Sequence, residues 1–134
     1  MPRLLLSLAV LLAALVATTP AMAKDGDDDR EDRPEVRVAG SCASGVTSKL
    51  KLKARDGELE VEFEVDSNRP GERWRVTLVR ERRVFWRGTE RTGGRSGSFS
   101  VERRLDDLDG PDTVTARAVG PRSRTCRATA TLAG

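Results

Sequence analysis

Carboxylates and arginines are the side chains in this sequence whose number and spacing are suited to chemistry, because the 134 residues include neither histidine nor tyrosine. A serine or cysteine nucleophile activated by an imidazole is therefore excluded, and proton transfer would fall to carboxylates or lysine. Glu58, Glu60, Glu62 and Glu64 recur at every second position, opposite a matching run of Lys49, Lys51 and Lys53. Acids on an exposed, lysine-paired face keep ordinary pKa values, whereas enzymes tune acids that are buried and converge. No serine sits in a recognisable motif with a lysine. The expectation is a protein that is not an enzyme and uses no cofactor.

The stretch from Arg69 to Arg95 is the most suggestive feature, with nine arginines against Glu72, Glu81 and Glu90. Its apolar residues alternate, as in two strands joined by a turn. A three-residue loop at Arg80, Glu81 and Arg82 would pair Leu78 with Val84 and Val76 with Trp86 on a core face. The opposite face would then carry Arg73, Arg75, Thr77, Val79, Arg83, Phe85 and Arg87. In that register Arg75 faces Arg87, a like-charge pair that costs stability unless an anion lies between them. Arginine binds phosphate and carboxylate bidentately, so such a face suits an anionic polymer of the cell envelope, and Arg73, Arg75, Arg83, Phe85 and Arg87 are its candidate residues. The blander expectation, and the favoured one, is a solvated ladder. The strand ending at Ser67 would lie beside the one starting at Arg73, with Glu62 and Glu64 neutralising Arg73 and Arg75.

Three further segments invite a functional assignment. The glycine-rich Gly88 to Gly97, GTERTGGRSG, could present Arg91 and Arg95 to an extracellular protease as an inhibitor loop, or could be an ordinary flexible connection. The acids of Asp106-Asp107-Leu108-Asp109-Gly110-Pro111-Asp112 suggest a calcium loop, but they lack the EF-hand spacing and its closing glutamate, and Gly110-Pro111 punctuates a turn. No metal site is expected. Cys42 and Cys126 make a poor zinc site without histidine, and are expected to form a structural disulfide.

These residues must be positioned by strands. From residue 35 onward apolar residues alternate in short runs bounded by Gly, Pro, Asn and Asp. Eight runs are expected as strands: 35–42, 47–55, 58–67, 73–80, 83–89, 98–105, 113–119 and 124–132. Asp56-Gly57 favours a two-residue hairpin turn, which pairs Arg55 with Glu58, Lys53 with Glu60, Lys51 with Glu62 and Lys49 with Glu64. Leu52 then meets Val61 and Leu50 meets Phe63 on the core side. In the last strand Cys126, Ala128, Ala130 and Leu132 point inward, and in the first Val36, Val38 and Cys42 share a face, so the two cysteines enter one core. The fold class expected is an all-β antiparallel sandwich of seven to eight strands, with one disulfide between its first and last strands.

The N-terminal residues set the compartment. Arg3, a 14-residue apolar run from Leu4 to Ala17 and the triplet Ala21-Met22-Ala23 make a cleavable secretory signal over residues 1–23. The run is shorter than the roughly 20 residues of a spanning helix. Residues 24–34 hold six acids and three bases and are expected as a disordered acidic leader, leaving residues 35–134 as the β domain, with 20 Lys and Arg against 15 Asp and Glu. The expected product is secreted, extracellular and monomeric, without a membrane anchor. Its partner would be an anionic envelope polymer or an extracellular protein. Nucleic acid is not expected, because an exported domain with so little aromatic interleaving lacks a stacking platform.

The segments VRVAGSC, the 48–65 hairpin, DSNRPGERWRVTL, SGSF and CRATATL together resemble a group of uncharacterised small secreted Ig-like β-sandwich proteins of high-GC Gram-positive (actinobacterial) bacteria. The resemblance covers residues 36–132 and implies an Ig-like sandwich, with no activity and no site residue to transfer. The chain departs from true immunoglobulin domains: it has no tyrosine for a tyrosine corner, Trp74 lies 32 residues after Cys42, and the cysteines are 84 apart.

Overall fold

A computed structural model describes residues 34–134. The expected signal peptide and nearly all of the acidic leader lie outside the described residues. Within them, apolar alternation produces strands at every segment where the sequence called for one. They are β1 (Glu35–Ala39), β2 (Ser41–Cys42), β3 (Thr47–Arg55), β4 (Glu58–Asp66), β5 (Arg73–Arg80), β6 (Arg83–Arg91), β7 (Ser98–Asp106), β8 (Asp112–Val119) and β9 (Thr125–Leu132). A four-stranded antiparallel sheet, β1-β3-β4-β7, packs on a five-stranded one, β2-β9-β8-β5-β6.

Nine strands replace the expected eight because the first segment divides at Gly40. β1 pairs with β3 in one sheet, and two residues later β2 pairs with β9 in the other. A Cβ at Gly40 would meet the Ser48 hydroxyl and lie 2.9 Å from the Arg127 carbonyl oxygen. Only glycine lets the chain step between sheets at so close an approach. The step places Cys42 directly opposite Cys126, and the two form the expected disulfide between an early and a late strand. Closing a loop of 84 residues removes unfolded-state entropy worth about 4.5 kcal/mol in the chain-entropy treatment.

The β3–β4 hairpin has the register its sequence dictates, from Arg55↔Glu58 to Lys49↔Glu64. Asp56 and Gly57 take φ of 51° and 78°, the pair of positive values that a two-residue turn matched to strand twist requires. Inward from this hairpin, Leu50, Leu52, Leu59, Val61, Phe63 and Val65 are fully buried. They meet Trp74, Val76 and Leu78 of β5 and the small Ala116, Ala118, Ala128 and Ala130 of β8 and β9, so the five-stranded sheet sets large side chains on β5 beside small ones on β8 and β9. The five-stranded sheet keeps the β9-β8-β5 order of an immunoglobulin G-F-C sheet. In the other sheet β3-β4-β7 keeps the A-B-E order, and the departure is at the edges, where β1 is added beside β3 and no D strand follows β7 among the described residues.

Sheet membership overturns the expected Lys–Glu–Arg ladder. β4 and β5 belong to different sheets, so Glu62 and Glu64 face Lys51, Lys49, Glu102 and Ser100 and never meet Arg73 or Arg75. The four-stranded sheet is left with an outer face of both signs. Lys51 pairs with Glu62 at 2.7 Å, and Arg104 lies 3.3 Å from Glu60. The Glu62 hydrogen bond holds the Lys51 amine above its ordinary pKa, and that of Arg37 holds Glu35 below its own.

Candidate arginine face of the five-stranded sheet

The outer face of β9-β8-β5-β6 is built from every second residue of each strand. β5 contributes Arg73, Arg75, Thr77 and Val79, and β6 contributes Arg87, Thr89 and Arg91. β8 adds Thr113, Thr115 and Arg117, and β9 adds Arg127, Thr129 and Thr131. No carboxylate occupies an outward position of these four strands. Across the strands, Arg127↔Arg117, Arg117↔Thr77 and Thr77↔Arg87 fall in one row. Arg75 lies in the next row, between Val119 and Thr89, and Arg73 pairs with Arg91 beyond it. Among the described residues none of the six arginines is ion-paired with a carboxylate.

The register of the β5–β6 hairpin differs from the sequence expectation. The turn is the two residues Glu81 and Arg82, and a bulge between Leu78 and Val79 makes Leu78 pair with Trp86 and Thr77 with Arg87. Arg75 therefore faces Thr89 and lies diagonal to Arg87. Phe85 is the extra residue of the bulge and packs against the core, and Arg83 pairs with Arg80, on the side opposite to Arg87. Both leave the candidate polymer-binding set. Arg73, Arg75 and Arg87 remain, and Arg91, Arg117 and Arg127 join them. The outward phase of Arg127 was readable from the β9 alternation; that β8 and β9 lie beside β5 was not.

Two shallow depressions run along this face. One, of about 530 Å³, lies among Arg75, Arg87, Arg117 and Gly88; the other, of about 440 Å³, lies among Arg87, Arg117, Arg127 and Thr115, with Glu81 of the turn at its border. They share Thr77, Arg87 and Arg117 and so form one trough across the strands. Gly88 borders the trough with backbone alone; a Cβ there would project to the opposite, core side, where the Trp86 ring lies. Arg103, reaching from β7, stacks 4.2 Å from the same ring, and Trp86 is thereby held on the core side. Phe63, Phe99 and Trp74 are buried, so no aromatic ring stands on the arginine face.

Part of the Gly88 to Gly97 segment is strand and not loop. Gly88 to Arg91 belong to β6, and the Arg91 guanidinium donates to the Gly71 carbonyl at 2.9 Å. Thr92 is buried, its hydroxyl donating to the Arg69 carbonyl and accepting from the Glu72 amide. Gly97 N–H donates back to the Gly93 carbonyl, closing a tight turn with Arg95 exposed on it. An extended inhibitor loop needs residues free to lie along a protease cleft, and only the short turn is free. In the acidic segment Asp112 turns inward onto Arg80, while Asp106, Asp107 and Asp109 stay exposed. The Asp112 carboxylate beside it raises the pKa of Asp107. Among the described residues no group of three such side chains could hold a metal ion.

No family model, curated protein or solved structure matches this chain.

Proposed function

We propose that the chain is a secreted, non-catalytic module that attaches to anionic cell-envelope polymers through the outer face of β9-β8-β5-β6. The observation that carries this is the row Arg127–Arg117–Thr77–Arg87, where arginines converge without an ion-paired carboxylate among the described residues, Glu81 of the β5–β6 turn bordering the row, although the other sheet pairs nearly every lysine with an acid. Like charges on neighbouring strands destabilise a sheet, and an anionic ligand lying over them removes the cost. Guanidinium forks alternating with threonine hydroxyls offer donors to phosphodiester or uronate oxygens. The lack of an aromatic platform disfavours single-stranded nucleic acid. The signal-like first 23 residues support an extracellular encounter with such a polymer.

The test is retention of the oxidised protein on purified cell envelope across a salt series, beside an Arg87→Ala/Arg117→Ala/Arg127→Ala variant. Retention that falls with salt and is lost in the variant is expected. Retention that is salt-independent, or equal in the two proteins, would remove the arginine face as the site.

A further inference from the structure

We propose a second, separate binding site at the loop end of the sandwich, a pocket that takes one small oxyanion group, a phosphomonoester or a carboxylate. This site does not rest on the polymer-binding reading. The connections 43–46, 67–72 and 120–124 meet at this end, opposite to the end that carries the Asp106–Asp112 segment. Between them lies a cavity of about 370 Å³, lined by Ser44, Asn68, Arg69, Arg122 and Arg124 among others. That volume is in the range of small-ligand sites.

Its three guanidinium groups differ in what they are free to do. Arg124 is committed: it is ion-paired with Glu72, its Nε donates to the Pro121 carbonyl at 3.2 Å, and it lies 5.5 Å from the Trp74 ring. Arg124 and Glu72 therefore form a neutral wall. Arg69 and Arg122 are exposed and have no carboxylate partner among the described residues.

The backbone beneath both is fixed. The Arg69 carbonyl accepts from Thr92 Oγ1 at 2.5 Å and from Ser67 Oγ at 3.2 Å, and Gly97 packs so closely on the Arg69 backbone that a Cβ there would overlap it. Arg122 sits at φ 56° and ψ 33° and Ser123 at φ 56°, left-handed conformations that glycine would adopt without strain. The chain nevertheless places an exposed arginine at the first of them, where it lines the cavity. Two guanidinium forks, unpaired among the described residues and on a held backbone, flank the cavity, and with the Ser44 hydroxyl and Asn68 amide beside them they match an oxyanion with several acceptor atoms.

Amide shifts of the oxidised protein, titrated with inorganic phosphate and separately with malonate, provide the test. Saturable shifts confined to residues 44–45, 68–69 and 122–124 are expected. Arg69→Gln and Arg122→Gly should each weaken binding by about tenfold, the loss of one charge-assisted hydrogen-bond pair, while Arg117→Gln leaves it unchanged. Arg122→Gly retains the left-handed backbone, so a native spectrum of that variant separates lost binding from lost folding. Saturation by phosphate alone identifies a phosphoryl ligand, by malonate alone a carboxylate, and by both an oxyanion of either kind. Shifts that stay linear, spread over all arginines, respond equally to Arg117→Gln or fail to appear would overturn the site.

Discussion

Arg117 is the position where binding and folding should part most clearly. It lies in the middle of β8, directly opposite Arg127 on one side and Thr77 on the other, with Arg87 beyond Thr77. Like charges directly opposite one another on a sheet cost roughly 0.2–1 kcal/mol, and opposite charges contribute a similar amount. Arg117→Glu converts one repulsion into an attraction, a swing of about 1 kcal/mol once screening at an exposed site is allowed for. In a domain of this size that is a rise in Tm of about 4–8 °C at low salt. The neutral Arg117→Gln should give about half of it. Because the Debye length shrinks to about 10 Å at 0.1 M salt, added NaCl should raise the Tm of the parent protein, leave that of Arg117→Gln more nearly flat and lower that of Arg117→Glu. Retention on envelope polymer should move the other way, falling for Gln and further for Glu. Stability that rises while binding falls marks a surface held in an unfavourable state for its ligand. Thermal melts at two salt concentrations and one retention series are sufficient. An Arg117→Glu protein that melts lower than the parent would refute the repulsion, and unchanged retention would separate the row from binding.

Two further outcomes follow from buried contacts. Gly88→Ala should push the Trp86 ring out of its slot between β6 and Arg103, since the new Cβ would overlap the ring. Trp74 is buried elsewhere, so a red-shifted, more quenchable tryptophan emission would report the change, and an unaltered spectrum would contradict the contact. Glu72 gives a pH signature. Burial alone would raise its pKa, but hydrogen bonding from Ser67 and Arg124 and the charges of Arg124 and Arg69 outweigh this and hold it below the ordinary value. A depressed folded pKa means that its stabilisation is complete above the unfolded value, near 4.5, and disappears as pH falls through the folded one. Glu72→Gln should therefore cost about 2 kcal/mol at pH 7, where it strands the half-buried Arg124, and the difference from the parent should shrink steadily in melts below about pH 4. A difference that is constant with pH would show that the carboxylate charge contributes nothing.

Much of the fold was legible because strands write their facing into the chain locally. The period of two in SKLKLKARDGELEVEFEV, with a turn that admits one hairpin type, sets both register and core side without reference to any other segment. The β5–β6 hairpin shows where local legibility fails. Phe85 and Trp86 are adjacent and both apolar, so a bulge that buries the two together leaves no mark in the alternation, yet it shifts every pair beyond it and moves Arg83 and Phe85 off the face. Gly40 was equally silent, because a glycine within an alternating run does not announce that the chain is changing sheets.

By itself, the sequence determined which residues are strands, which side of each strand is buried, that two cysteines share a core, and that no imidazole chemistry is open to the protein. Only the tertiary structure decided which strands are neighbours. That choice placed the acids of β4 on one sheet and the arginines of β5 on the other, and it brought Arg117 and Arg127 alongside Arg87 from segments 30 and 40 residues away. The reason is physical. A strand's facing is fixed by its own alternation, whereas its neighbour is chosen by how the inward side chains of the two sheets fit one another, a packing that no stretch of chain contains on its own.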